Sequence, residues 1–206
     1  MGGEKMSRES NLKNMLLCLF VVTFAASSLL CGVYLITYEP IVEAKKNEIN
    51  AAIASVVPAF DNDPSSEKVV REILGKKVTI YPACQGKTPA GYAIEASSSG
   101  FSGIITLMVG FLPDGTIYNT AVVSHTETPG LGDKMEQKKG NWSLQFNGKN
   151  PTEFKLSVKK DGGDVDAITA STISSRAFCD IVELAYKAFL TVKPEIAEPE
   201  KGDANE

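Results

Sequence analysis

The sequence has one histidine, His125, and one tryptophan, Trp142, in 206 residues. A single imidazole excludes a multi-histidine metal cluster and a histidine proton relay. Cysteine is also scarce: of four, none lies in a C-x-x-C pair or at metal-ligand spacing. Cys18 and Cys31 fall inside an apolar run, which leaves Cys84 and Cys179. A bridge between these two is left open by the sequence. Cys179 beside Phe178 on an expected helix reads as a buried free thiol, and Cys84 has no partner motif that would make it a redox thiol. Glycine-rich phosphate loops, dinucleotide fingerprints and a Ser-His-Asp order are absent. There is no basic excess: the formal net charge is −4, which argues against nucleic acid as a partner.

What is present begins with one long apolar run. Met15 to Tyr38 contains no Asp, Glu, Lys or Arg. A helix needs about 20 apolar residues to cross a bilayer. A cleaved signal peptide, with an apolar core of about 7–15 residues, is the poorer match. A lipoprotein reading is weaker still, because Leu17 and Leu30 precede Cys18 and Cys31 where a small residue is needed. Lys5, Arg8 and Lys13 precede the run, and Glu39 and Glu43 follow it. That asymmetry favours an N-inside topology, with the rest of the chain outside the cytoplasm.

Beyond the run, apolar residues from Ile41 to Val57 continue a helical style, as a stalk that Pro58 ends. Ser65 or Ser66 is placed to cap a short helix, Glu67 to Leu74, stopped by Gly75. The period then becomes two. Strands are expected at 78–81, 91–96, 103–111 and 116–124, with Pro113-Asp114-Gly115 turning a hairpin. Residues 128–132 read as a loop, 134–138 as a short helix and 154–158 as a strand. Ile173, Ala177, Ile181, Leu184, Ala185 and Ala188 mark one face of a last helix, about 171–190, with Pro194 beyond its end. The expected fold is α+β: a single N-terminal transmembrane helix, then an antiparallel-sheet domain with flanking helices. The expected divisions are a cytoplasmic N-terminus at 1–14, the transmembrane helix at 15–38, a helical stalk and linker at 39–64, a domain at 65–193 and a disordered tail at 194–206.

Hydroxyls crowd the start of the last helix: Thr169, Ser171, Thr172, Ser174 and Ser175. Free N–H groups and the helix dipole make such a start a seat for phosphate. Alone, the string also reads as ordinary capping. Asp166-x-x-Thr169-Ala170-Ser171-Thr172-x-Ser174 resembles the flavinylation motif of FMN-binding domains. His125-Thr126-Glu127-Thr128-Pro129-Gly130-Leu131-Gly132 is similar to a second segment of that family, and Gly100-Phe101-Ser102-Gly103-Ile104-Ile105 to a third. All three stand in the family's order behind one anchor. Together they resemble the G subunits of Rnf electron-transport complexes, with a related family in the C subunits of sodium-pumping NADH:quinone oxidoreductases.

The resemblance implies a membrane-anchored flavoprotein subunit that relays electrons, as part of a translocase and not catalytic alone. Such a complex moves electrons between reduced ferredoxin and NAD, coupled to sodium or proton movement. The implied cofactor is FMN, joined through its phosphate to Thr172, with Ser171 and Thr169 as lesser alternatives. Ser171, Ile173, Ser174 and Ser175 are expected around the phosphate. Glu127, Thr128, Gly130, Leu131, Gly132 and Lys134 are expected around the flavin, with the two glycines letting backbone approach a flat ring. Asp166 and Thr169 belong to the stretch a flavin transferase reads. Implied partners are the other Rnf subunits, especially a second covalent-flavin membrane subunit, together with that transferase and the membrane. The chain departs from the family pattern at Ala170 and Ser171, where Gly and Ala are usual. Ala170 is expected to hold the loop in an ordinary backbone conformation. His125, Trp142 and Tyr118 read as a satisfied strand-end residue and two core aromatics. Rival readings are a quinone-reducing relative, a non-redox sensor or assembly module of the same fold, and an anchored hydrolase, which lacks a nearby base.

Overall fold

A computed structural model describes residues 12–197, with side-chain surroundings through residue 192. The first eleven residues of the expected cytoplasmic segment and the tail from 198 lie outside the described residues. The chain forms two compact units, 1–47 and 48–206. Helix α1 (Leu12–Val56) runs without a break through Pro40. Within the first unit its apolar side chains, from Leu16 to Ile36, are all exposed. The helix is long and apolar enough to cross a membrane. Thr23 and Thr37 return their hydroxyls to the carbonyls of Leu19 and Val33, at 2.9 and 2.7 Å, so neither presents an unpaired polar group to an apolar surround.

The second unit is built on alternation. Five strands, β1 (Val69–Ile73), β2 (Lys76–Gln85), β3 (Thr88–Ser99), β4 (Ile104–Phe111) and β5 (Ile117–Ser124), pair antiparallel in chain order. Ile80, Ile94, Leu107 and Phe111 all point to one face. Helix α2 (Thr172–Ala197) lies on that face, and Phe189 meets Phe111 at 5.4 Å and Tyr92 at 5.5 Å. Trp142 and Phe146 complete the same core against Phe178, at 5.1 and 4.9 Å. Of these, the fully buried Phe111, Phe146, Phe178 and Phe189 each contribute roughly 1.5–3 kcal/mol. Tyr81, Ala83, Ala93 and Met108 point to the other face, where Ile53, Val56 and Val57 at the end of α1 cover them. Gly110 permits this approach: a Cβ there would stand 1.5 Å from the Val56 carbonyl oxygen.

Five local expectations are corrected. Residues 67–74 do not form a helix; Val69–Ile73 is strand β1, paired with β2 so that Ile73 faces Lys76. Leu74 and Gly75 form the two-residue turn between them, both left-handed, with φ of 52° and 72°. Gly75 is thus a hairpin residue, not a helix stop, and the β-branched Val69, Val70 and Ile73 follow their strand preference. Residues 154–158 form no strand; turns there lead to an isolated bridge from Val158 to Val165. The helix expected at 134–138 is a 3₁₀ turn at Gly132–Met135. Helix α2 continues past Leu190 and through Pro194 to Ala197, so residues 194–197 are helical and not tail. Tyr118 is 44% exposed and not a core aromatic. Cys84 and Cys179 are unpaired. Cys179 is buried, and that burial pushes its thiol up to about 12.

The Leu74 turn carries a testable strain. A left-handed non-glycine residue costs about 1–2 kcal/mol, and Asn tolerates that conformation better. Leu74 is 75% exposed, so little packing is lost on substitution. Leu74→Asn is expected to stabilise the protein by about 0.5–1 kcal/mol. The check is the urea midpoint of the full chain in detergent; a midpoint at or below that of the parent would contradict it.

Candidate functional site

Three segments converge at one end of the sheet. They are the β3–β4 turn, the stretch from His125 to Gly132 that follows β5, and the start of α2. Between them lies a cleft of about 360 Å³, within the size range of small-molecule sites. Phe101 comes from the first segment. Glu127, Thr128, Leu131 and Gly132 come from the second, and Ala170 to Ser174 from the third. Phe101, Leu131 and Ile173 remain 70%, 40% and 48% exposed, so the walls near the mouth are apolar while the floor is polar.

The floor is organised by Glu127, which is only 5% exposed. Its Oε1 accepts the Ser102 backbone N–H at 3.0 Å, and its Oε2 accepts the Ser174 hydroxyl at 2.5 Å. Ser171 Oγ lies 2.9 Å from Ser174 Oγ. A buried carboxylate is tolerable because both oxygens are hydrogen-bonded. Gly132 exists for this side chain: a Cβ there would be 2.8 Å from Glu127 Oε2 and 3.0 Å from Ser174 Oγ. Gly132 lines the cleft, and its missing side chain also makes room for the carboxylate. Gly130 turns the loop with φ of 79°, and a Cβ there would meet nothing.

His125 holds the same loop from behind. Its Nδ1 accepts the Glu127 N–H at 3.0 Å, and its Nε2 lies 2.6 Å from Glu136 Oε1. An accepting Nδ1 puts the proton of the neutral ring on Nε2. Glu136 also takes the Lys139 ammonium at 2.8 Å. The Lys139 bond, followed by the His125 bond, holds the Glu136 carboxyl below its ordinary value of 4.5. A lone histidine in sequence reads as a strand-end residue; nothing in the local pattern marks Glu136, eleven residues on, as its partner.

At the start of α2 the hydroxyls divide. Ser175 Oγ donates to the Ser171 carbonyl at 3.0 Å and accepts the Ile168 N–H at 2.9 Å, so Ser175 faces inward and away from the cleft. Ser171 and Ser174 are tied to each other and to Glu127. Thr172 lines the cleft, is half-buried, and its hydroxyl makes no hydrogen bond among the described residues. The backbone N–H groups of Thr172, Ile173 and Ser174 open the helix, and no side chain caps them among the described residues. Ala170 adopts φ of 61°. The expected ordinary backbone is thus corrected: alanine occupies the left-handed position that glycine fills more cheaply.

Not every expected site residue reaches the cleft. Lys134 and Thr169 are exposed and outside it. Asp166 is exposed and pairs with Lys159 at 2.7 Å. Its backbone is pinned by Gln145 and by the Trp142 indole, both donating to its carbonyl. Phe101, an exposed aromatic beside Gly100, lines the cleft; in sequence only its segment stands out, not its ring. The arrangement suits a ligand with an anionic end at the helix start and a flat apolar body against Phe101, Leu131 and Ile173. The free N–H groups, the unengaged Thr172 hydroxyl and the apolar walls fit a flavin mononucleotide.

The sequence model of the FMN-binding domain family matches residues 100–187, which include all three cleft segments. Among similar proteins is the G subunit of the ion-translocating oxidoreductase complex of Erwinia tasmaniensis. It is 41% identical over 132 residues, which cover 62% of this chain and 63% of that one, less than two thirds of its length. The corresponding G subunit from Vibrio atlanticus is 35% identical over 181 residues, 83% of this chain and 87% of the relative. A crystal structure of Shewanella oneidensis NqrC is similar with a TM-score of 0.47 at 18% identity, covering 66% of this chain and 75% of that one.

Two outcomes test this geometry. Gly132→Ala forces its methyl onto Glu127 and Ser174 and is expected to cost about 1–3 kcal/mol, read from urea unfolding; an unchanged midpoint would contradict the packing. The second concerns acid. A carboxyl held below its unfolded value contributes stability that is present above that value and lost as pH falls through the folded one. Wild type is therefore expected to lose stability below about pH 4.5, and Glu136→Gln to flatten that loss in pH-dependent denaturation. Equal acid slopes would contradict it.

Proposed function

The chain belongs to the family of G subunits of ion-translocating oxidoreductase complexes, and from that premise we propose that it carries FMN as a phosphoester on Thr172 and relays electrons at a membrane. The observation that carries this reading is the state of the Thr172 hydroxyl: unengaged, half-buried, and placed on the cleft among uncapped N–H groups. Ser171 and Ser174 have their hydroxyls bound, and Thr169 lies off the cleft.

FMN, when bound, supplies one- and two-electron transfer. The chain's own residues do the rest. The N–H groups of Thr172, Ile173 and Ser174 receive phosphate charge, aided by the helix dipole. Phe101, Leu131 and Ile173 hold the ring and exclude water. Thr128 stands at the rim as a hydrogen-bonding residue. Covalent linkage prevents loss of cofactor outside the cytoplasm.

The proposed topology puts 1–14 inside, 15–38 in the membrane, and the domain at 65–193 outside the cytoplasm, carried on the stalk and linker at 39–64. The span keeps the flavin close to membrane partners, of which a second covalent-flavin membrane subunit of an Rnf-type complex is the proposed neighbour. A flavin transferase matures the protein, with the exposed Asp166 and Thr169 available to be read. Thr172→Ala is expected to abolish covalent flavin, and Ser171→Ala to leave most of it, measured by flavin fluorescence of the denatured full chain after co-production with a transferase. Flavin retained in the threonine variant and lost in the serine variant would overturn the assignment.

A further inference from the structure

We propose that Glu127, acting through Ser174, decides which hydroxyl of this helix start accepts the flavin phosphate, by holding Ser171 out of the reaction. The proposal rests on the reading of Thr172 as the attachment site and adds what makes that choice. Two adjacent hydroxyls line the cleft, Ser171 and Thr172, so position in the cleft does not by itself select between them.

The hydrogen bonds that hold each side chain do. A serine has one hydroxyl proton, and Ser174 donates its own to Glu127 Oε2. Ser174 Oγ is then left as an acceptor, and the Ser171 hydroxyl 2.9 Å away supplies the proton it accepts. Two hydroxyls are thereby oriented in series toward one carboxylate. The carboxylate is itself fixed, by the Ser102 N–H on its other oxygen and by the missing side chain of Gly132. Ser171 is 8% exposed, and its oxygen lies 2.9 Å from Ser174 Oγ. Thr172 has no such bond among the described residues.

The attachment step makes the difference count. The hydroxyl oxygen attacks the flavin-side phosphorus of a flavin nucleotide phosphoanhydride brought by the transferase. An O–P bond forms and the anhydride P–O bond breaks. The leaving nucleoside monophosphate takes the electron pair, and the hydroxyl proton passes to it; nothing is oxidised or reduced. The bond to Ser174 restrains where Ser171 Oγ lies and leaves its lone pairs free; to reach the phosphorus, Ser171 must break that bond and turn its oxygen away from Ser174. Thr172 gives up nothing. Glu127 and Ser174 are positioning residues in this account, since neither touches the reacting phosphorus.

The test uses the full chain co-produced with a flavin transferase, and peptide-mapped mass as the readout. Thr172→Ala is expected to carry no flavin, whereas the double variant Thr172→Ala with Ser174→Ala gains FMN minus water on Ser171. Ser174→Ala alone is expected to map to a mixture of Ser171 and Thr172, which serves if the double variant does not fold by circular dichroism. A folded double variant without flavin, or a single variant modified on Thr172 alone, would overturn the proposal and leave sequence register as the selector. Wild type unmodified at Thr172 would instead overturn the underlying reading.

Discussion

A buried carboxylate, hydrogen-bonded from two sides and held by its own backbone, organises one end of this sheet. Glu127 is reached by the Ser102 N–H from the β3–β4 turn and by the Ser174 hydroxyl from α2, while its own N–H is accepted by His125. Removing the Ser174 hydroxyl leaves one oxygen of a buried carboxylate without its hydrogen bond. The tie therefore holds three segments distant in sequence at fixed separation, and the cleft is the space left between them. The glycines at 100 and 132 belong to the same constraint: a Cβ at either would strike the Glu127 side chain, at 2.4 Å from Oε1 and 2.8 Å from Oε2 respectively.

The rest of the domain supplies rigidity to that end. A five-stranded meander has only short connections, and α2 is bound to it along a continuous apolar face. The helix start is consequently a fixed object. Its first N–H groups and the Thr172 hydroxyl are aimed by the packing of Phe178, Ile181 and Phe189 further along. The loop before it is pinned as well, by Arg176 to Asp161 at 2.7 Å and by Lys159 to Asp166 at 2.7 Å. A site positioned by rigid elements can hold a ligand in one orientation.

Much of this is legible in the residues. Alternation at 103–111 and the Pro113-Asp114-Gly115 turn specify the central hairpin, and the spacing from Ile173 to Ala188 specifies the buried face of α2. Residues 67–74 look helical in sequence because a serine before and a glycine after resemble helix caps; pairing with β2 and a left-handed Leu74 decide otherwise, and local pattern does not encode pairing. Among site residues, Glu127, Thr128, Leu131 and Gly132 line one cleft with Ser171 to Ser174. Sequence does not show that Glu127 commits both oxygens to the protein, that Ser171 and Ser174 are engaged by it, or that Ala170 is left-handed. The Glu127 contacts join residues 25 to 47 positions apart, beyond the reach of any local pattern.

The central claim is that this arrangement leaves Thr172 as the group that bonds the cofactor. The most direct measurement is the mass of the wild-type full chain, purified from membranes after co-production with a flavin transferase and mapped by peptide fragmentation. The account predicts an increase equal to FMN minus water, located on Thr172. An unmodified chain in the presence of a transferase active on a control, or the same mass located on another residue, would contradict it.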